Sequence, residues 1–267
     1  MSVARLFTRL FSTVALAVFV ISLAVPAASA VQTTQRSPSE TVREFYKAMR
    51  ERRFRDAFSL SIYKPALDSL SKEEYEDLVP DFEKTAIAVS ERIPEKLDFT
   101  GEQVSADSAT VFLKILDADG KEKLELATLI KINNVWILGD RENQELVKKA
   151  GKRFFFDARI DAHHNDVQDM LTRISLAEVV YGQQHEGKFA DLPTLVSLGL
   201  IPKDIESTAS TGYRFRITVS PDRKSWNAGA EPAQYGRTGR LSFFLDPTGV
   251  RSGDVGGKPL PAVPPKN

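Results

Sequence analysis

Twice along this chain a helix-spaced apolar pattern gives way to short strand-like runs. That repeated order, helices before strands, limits most tightly what the chain can fold into. In the first block Ser37-Pro38-Ser39-Glu40 reads as a helix start: a capping serine, proline at the first helical position and glutamate three residues after the cap. Val42, Phe45, Tyr46 and Met49 follow at i, i+3, i+4, i+7, while Arg43, Lys47, Arg50, Glu51 and Arg52 take the other face. Ala57, Phe58, Leu60 and Ile62 predict a second short helical piece ending near Pro65. Tyr75, Leu78, Val79, Phe82 and Ala86 predict a helix to about Arg92, with Pro80 inside it and Pro94 ending it. The period then becomes two: Val111, Leu113 and Ile115 alternate with Phe112, Lys114 and Leu116. Asp117-Ala118-Asp119-Gly120 supplies a turn, Leu124, Leu126 and 128–132 the returning strand, Asn133-Asn134 a tight turn, and Val135-Trp136-Ile137-Leu138 the next strand.

The second block repeats the order. Residues 141–152 are charged and helix-prone, with Gly151 as the break, and Phe154-Phe155-Phe156 demands burial. Val167, Met170, Leu171, Ile174, Ala177 and Tyr181 predict one long helix, apolar on one face, ending near Gly182. Leu192, Leu195, Leu198, Leu200 and Ile201 form a connector before Pro202. Three strands are expected at 213–220, 226–230 and 241–245, with turns at Pro221-Asp222-Arg223-Lys224 and Asp246-Pro247-Thr248-Gly249. The fold class expected is α+β in two modules, 37–151 and 152–254, with residues 255–267 as a Pro- and Gly-rich flexible tail.

The first thirty residues read as an address. Arg5 and Arg9 precede a sixteen-residue, mostly apolar run from Leu10 to Val25, which Pro26 breaks before Ala28-Ser29-Ala30. Basic start, short apolar middle and small-residue end make a secretory signal peptide, cut between Ala30 and Val31. The apolar run is short for a membrane span, which needs ~20 apolar residues. The expectation is a periplasmic or secreted protein without a membrane span after cleavage, residues 31–36 being a frayed start; an uncleaved N-terminal anchor is the alternative. The mature chain would carry 34 basic and 36 acidic residues, net −2, which gives no basic surface for nucleic acid. No cysteine occurs anywhere, so disulfides, thiol catalysis, thiolate metal sites and attachment of lipid at a cysteine are excluded.

The first module resembles the nuclear transport factor 2-like (cystatin-like) superfamily, in particular its small bacterial envelope domains of unknown function. The resemblance lies in the helix of residues 37–46, in Arg53-Phe54-Arg55-Asp56-Ala57-Phe58, and in Lys131-Ile132-Asn133-Asn134-Val135-Trp136-Ile137. It implies a cone of helices on an antiparallel sheet. Enzymes of that superfamily place an Asp, His or Tyr inside the cone. By that resemblance Tyr46, Tyr63 and Tyr75 would line a cavity, with Asp98 or Glu102 near its rim, whereas apolar-face tyrosines read directly are core residues. The module has no histidine.

The second module is similar to the globular head of type IV pilin-like proteins and type II secretion pseudopilins. The similarity rests on Ala177-Glu178 with Tyr181, on Leu192-Pro193-Thr194-Leu195 and on Gly212-Tyr213-Arg214-Phe215. It continues through Ala230-Glu231-Pro232 and residues 235–240 to the run Phe243-Phe244-Leu245-Asp246-Pro247-Thr248-Gly249-Val250-Arg251. The chain departs from that family where filaments are built. About 120 residues separate the apolar N-terminal segment from the head, and no prepilin-like run precedes the helix.

Candidate chemistry is sparse. His163-His164 is a poor metal pair, since neighbours on a helix point about 100° apart, and no zinc spacing accompanies them even with Asp161 and Asp166 nearby. His185 reads as a loop residue and Arg50-Glu51-Arg52-Arg53 as a solvated helix face. No phosphate loop or nucleophile elbow occurs. No catalytic residue, metal or cofactor is assigned. The function expected is non-enzymatic binding or scaffolding in a bacterial envelope, beside a secretion or pilus-like system, with an envelope partner that the sequence does not identify. The alternatives are a small-ligand binder or enzyme using the cone, and an atypical minor pseudopilin.

Overall fold

The computed structural model describes residues 36–262 except Ala118. The expected signal peptide, its Ala30–Val31 cleavage point and the last five residues lie outside the described residues. The fold is α+β, with helices and two antiparallel sheets, and the contacts divide the chain between Phe154 and Phe155.

In the first unit helix α1 (Pro38–Arg50) opens with a reciprocal cap. The Glu40 amide donates to Ser37 Oγ (3.2 Å) and the Ser37 amide to the Glu40 carboxylate (2.7 Å). Its buried stripe is Val42, Phe45, Tyr46 and Met49. Helix α2 (Phe54–Ser59) buries Phe54 and Phe58, and α3 (Lys64–Asp68) follows. Pro65 begins that third helix rather than ending the second, because a first-turn amide needs no partner within the helix. Helix α4 (Lys72–Arg92) starts with the same serine–glutamate box, Ser71 with Glu74, and carries Pro80 within it. These helices serve a four-stranded sheet in chain order: β1 (Asp98–Ser105), β2 (Ser108–Leu116), β3 (Glu122–Ile132) and β4 (Val135–Leu138). Strand β1 is an addition to the expected meander. Val111, Leu113 and Ile115 face the helices, joined by Ala127 and Leu129 of β3 and by Trp136 and Leu138 of β4. Helix α5 (Arg141–Ala150) stops at Gly151, whose φ of 54° a side chain would resist.

The second unit is built on α6 (Arg153–Gln184), a 32-residue helix that starts well before the expected apolar stripe and includes the three phenylalanines. Val167, Leu171, Ile174, Ala177 and Tyr181 pack with Tyr213, Ala228, Ala230, Phe243 and Leu245 from the sheet. That sheet has four strands rather than three: β5 (Tyr213–Val219), β6 (Trp226–Pro232), β7 (Leu241–Asp246) and β8 (Gly249–Asp254). The helix is also not apolar on one face alone. Leu176, Val179 and Val180 lie a helical turn apart on its exposed side, at 62, 52 and 38 % exposure.

The stretch read as a flexible tail begins as ordered chain. Gly256 and Gly257 both take positive φ (66° and 76°), and a side chain at 257 would meet Tyr235 Cβ at 2.9 Å. Leu260 then rests beside Gly253, and the Pro261 carbonyl accepts from Arg251 at 3.4 Å.

Candidate functional site

The three tyrosines expected to line a cone sit among packed rings. Tyr46 is buried on α1 with Phe45 edge-on at 5.4 Å. Tyr63 is buried between Phe58 (6.1 Å) and Phe154 (5.2 Å). Tyr75 is half-buried, against Phe82 (5.8 Å) on one side and under the Arg55 guanidinium (3.9 Å) on the other. Phe82 also contacts Phe58 at 5.0 Å, so Tyr63 and Tyr75 belong to one aromatic cluster while Tyr46 stands apart from it. Burial pushes all three phenols above their ordinary range, with the charge of Glu125 adding to the shift at Tyr46. Such phenols donate hydrogen bonds; they do not serve as bases near neutral pH. The two rim carboxylates have structural partners: Asp98 pairs with Lys114 (3.4 Å), and Glu102 accepts from the Ser39 amide (3.2 Å) and hydroxyl (2.6 Å) at the start of α1.

One residue of this interior escaped the sequence reading. Glu125 occupies an inward position of β3, in step with Ala127 and Leu129, and is buried. Lys123 reaches its carboxylate at 2.9 Å. No signal in the sequence pointed to it, because Leu124 and Leu126 on either side claim the apolar positions of the period-two pattern and the structure turns them outward. Arg50 lies at the same end of α1 and donates to the Ile93 and Glu95 carbonyls, the latter at 3.3 Å. Arg53, read as solvated, binds Glu44 (2.9 Å), Glu51 (2.7 Å) and Asp56 (2.6 Å), tying α1 to α2. A groove of about 480 Å³ opens beside α1, lined by Arg43, Glu95, Lys96 and Leu97.

Putting Glu125 inward turns its neighbours outward. Leu124 is 55 % and Leu126 36 % exposed, and Leu126 pairs with half-buried Phe112 on β2. Further along, Val135 pairs with Ile132, and Ile137 with Ile130. An antiparallel sheet with helices on one face is ordinarily polar on the other. Here Leu124, Leu126 and half-buried Phe112 form an apolar stretch of the outer face, beside Lys114 with its Asp98 and Glu122 partners and with Ile130 buried; exposed apolar side chains grouped on one face are a candidate surface for meeting another molecule.

In the second unit the two histidines hold a loop. His163 Nδ1 donates to the Thr238 carbonyl at 2.8 Å, and His164 Nε2 accepts from the Arg240 and Leu241 amides at 3.2 and 3.3 Å. His185 stacks on Tyr181 at 3.8 Å between ring centroids, and its Nδ1 reaches the Tyr181 carbonyl at 2.8 Å. Among the described residues no group of three or more His, Asp or Glu is placed to hold a metal ion.

Glu178, quoted above only for the pilin-head resemblance, proves to be a buried carboxylate. It is fully buried on α6, one carboxylate oxygen accepting from the Ala190 amide at 3.0 Å and the other without a partner. Burial pushes its carboxyl up to about 7. Spacing alone could have found it, since 178 falls four residues after Ile174 and seven after Leu171 on the core stripe.

The fold and these sites define an α+β chain of two units, each with its own core. Comparison with protein-family models, curated proteins and solved structures finds no match to this chain.

Proposed function

We propose that this protein is exported to a bacterial cell envelope and acts there by binding, holding partners rather than transforming a substrate. The observation that carries this reading is the outer face of the first sheet, where Leu124, Leu126 and Phe112 meet solvent although the helices already use the other face. Among the described residues no helix is long and apolar enough to cross a membrane. A photoreactive side chain at position 124 tests the reading. In cells it should cross-link to one envelope protein, and the same group at exposed Lys84, on α4, should not. Equal labelling at both positions would count against a defined surface.

A second reading has one observation in its favour. The buried pair of Tyr46 and Glu125 offers a donor and an acceptor inside the helix–sheet layer, the arrangement a small polar ligand would use. The pseudopilin alternative draws support from Leu176, Val179 and Val180, an apolar helix face open to a neighbour. Regular filaments of the purified mature protein in electron micrographs would put that reading first.

A further inference from the structure

The loop from Gln234 to Arg240 crosses from β6 to β7 and is held to α6 by side chains rather than by a strand ladder. Thr238 and Arg240 both meet the histidine pair, and Arg240 also reaches Asp157 at 2.6 Å. Two glycines make room for this arrangement. A Cβ at Gly212 would stand 2.3 Å from His163 Nδ1, and one at Gly239 would stand 2.1 Å from Tyr213 Oη. Tyr213 Oη in turn donates to the Leu241 carbonyl at 2.9 Å. The same loop reaches the end of the sheet, since Tyr235 Oη donates to the Asp254 carboxylate at 2.9 Å.

The two histidines differ in what a proton does to them. The Thr238 carbonyl can only accept, so His163 Nδ1 carries hydrogen, and this contact survives whether the ring is neutral or charged. His164 Nε2 accepts two amides at once, so it must be bare, with the ring's hydrogen on Nδ1. Protonation at Nε2 would replace the acceptor by a donor aimed at two donors. We infer that His164 is an acid-released latch: a proton from solvent at Nε2 frees the Arg240 and Leu241 amides and detaches the loop 234–240 from α6.

The neighbouring charges act in both directions. Asp161 on α6 favours the charged ring and His163 opposes it. Asp157 is engaged by Arg240, and Arg159 and Arg237 flank the Phe156 ring at 5.4 and 5.1 Å. From the sheet side the Tyr213 and Phe243 rings meet the imidazole at 6.4 and 5.9 Å and add no charge. Burial among them holds His164 below the ordinary histidine range, so the latch is closed at neutral pH and opens in acid.

Amide hydrogen exchange of the full mature chain, corrected for intrinsic rates, tests this between about pH 7.5 and about pH 4.5. The Arg240 and Leu241 amides should lose protection roughly tenfold or more, with the midpoint at which the His164 ring itself titrates by NMR, while the Ala228 amide in the sheet holds. His164→Gln keeps an acceptor at this reach and cannot titrate, so it should abolish the change, whereas His163→Gln should leave it. Constant protection in the wild-type chain overturns the latch, and that measurement needs no variant. An undiminished response in His164→Gln, or its loss in His163→Gln, overturns it equally.

Discussion

A carboxylate inside a helix–sheet core costs free energy unless its oxygens are paired, and Glu178 has a partner on one oxygen only. With its carboxyl pushed up to about 7, the folded chain keeps a proton that the unfolded chain has already released. The contribution to stability is therefore whole below about pH 4.5, falls as pH rises, and is gone above about pH 7. Glu178→Gln should remove that slope and stabilise the chain at alkaline pH by roughly 1–2 kcal/mol, read from denaturant melts at several pH values. An unchanged slope in the variant would assign it to another group. Two neighbours on the same helix set the scale for packing. Ile174→Asp puts an unpaired charge among Leu171, Tyr213 and Phe243 and should cost roughly 3 kcal/mol or more, while Arg173→Ala on the exposed side should cost under about 0.5 kcal/mol. The helix stripe that makes Ile174 a core residue was legible from spacing. Glu178 shares that stripe by spacing, so its position was legible too, although an acid adds no apolar signal there.

Elements were legible in proportion to how much apolar surface they bury. Helix α1, with its cap and stripe, and strands β2 and β4, with their alternation or apolar run, follow directly from the residues. Strands β1 and β8 do not. Seven of the eight residues of β1 are exposed, and β8 holds two glycines, a serine and an aspartate. Neither has a buried face to announce it; each exists because a neighbouring strand offers a free edge. The same limit hid the chain reversal at Gly256-Gly257, which composition presents as a flexible tail. Close approach at glycine was equally invisible. A methyl group at Gly239 would collide with the Tyr213 hydroxyl, so Gly239→Ala should cost about 1–3 kcal/mol in a thermal or denaturant melt. Gly120 has open space around it, and Gly120→Ala should cost only the strain of its φ of 75°, about 1 kcal/mol. If the two variants melted alike, the contact at Gly239 would not be tight.

For the whole molecule, the α+β class and the two-block order were written in the periodicity, and the candidate sites largely were not. Tyr46, Tyr63 and Tyr75 were chosen by residue type, yet packing gives each of them ring neighbours and raises its pKa. The outer face of the first sheet depends on which way β3 turns, and Leu124, Glu125 and Leu126 allow either choice until the pairing of Glu125 with Leu113 decides it. The proposed export makes its own prediction: protein recovered from the envelope fraction should begin at Val31, by N-terminal sequencing. Recovery of an intact Met1 in membranes would favour the anchored alternative. The molecule works either through that outer face or through the interior beneath it. Chemical cross-linking of envelope extracts, comparing Leu124→Lys/Leu126→Lys with Tyr46→Phe/Glu125→Gln at matched melting temperature, separates the two. The face variant should lose the partner and the interior variant should keep it; loss in the interior variant alone would overturn binding through the outer face.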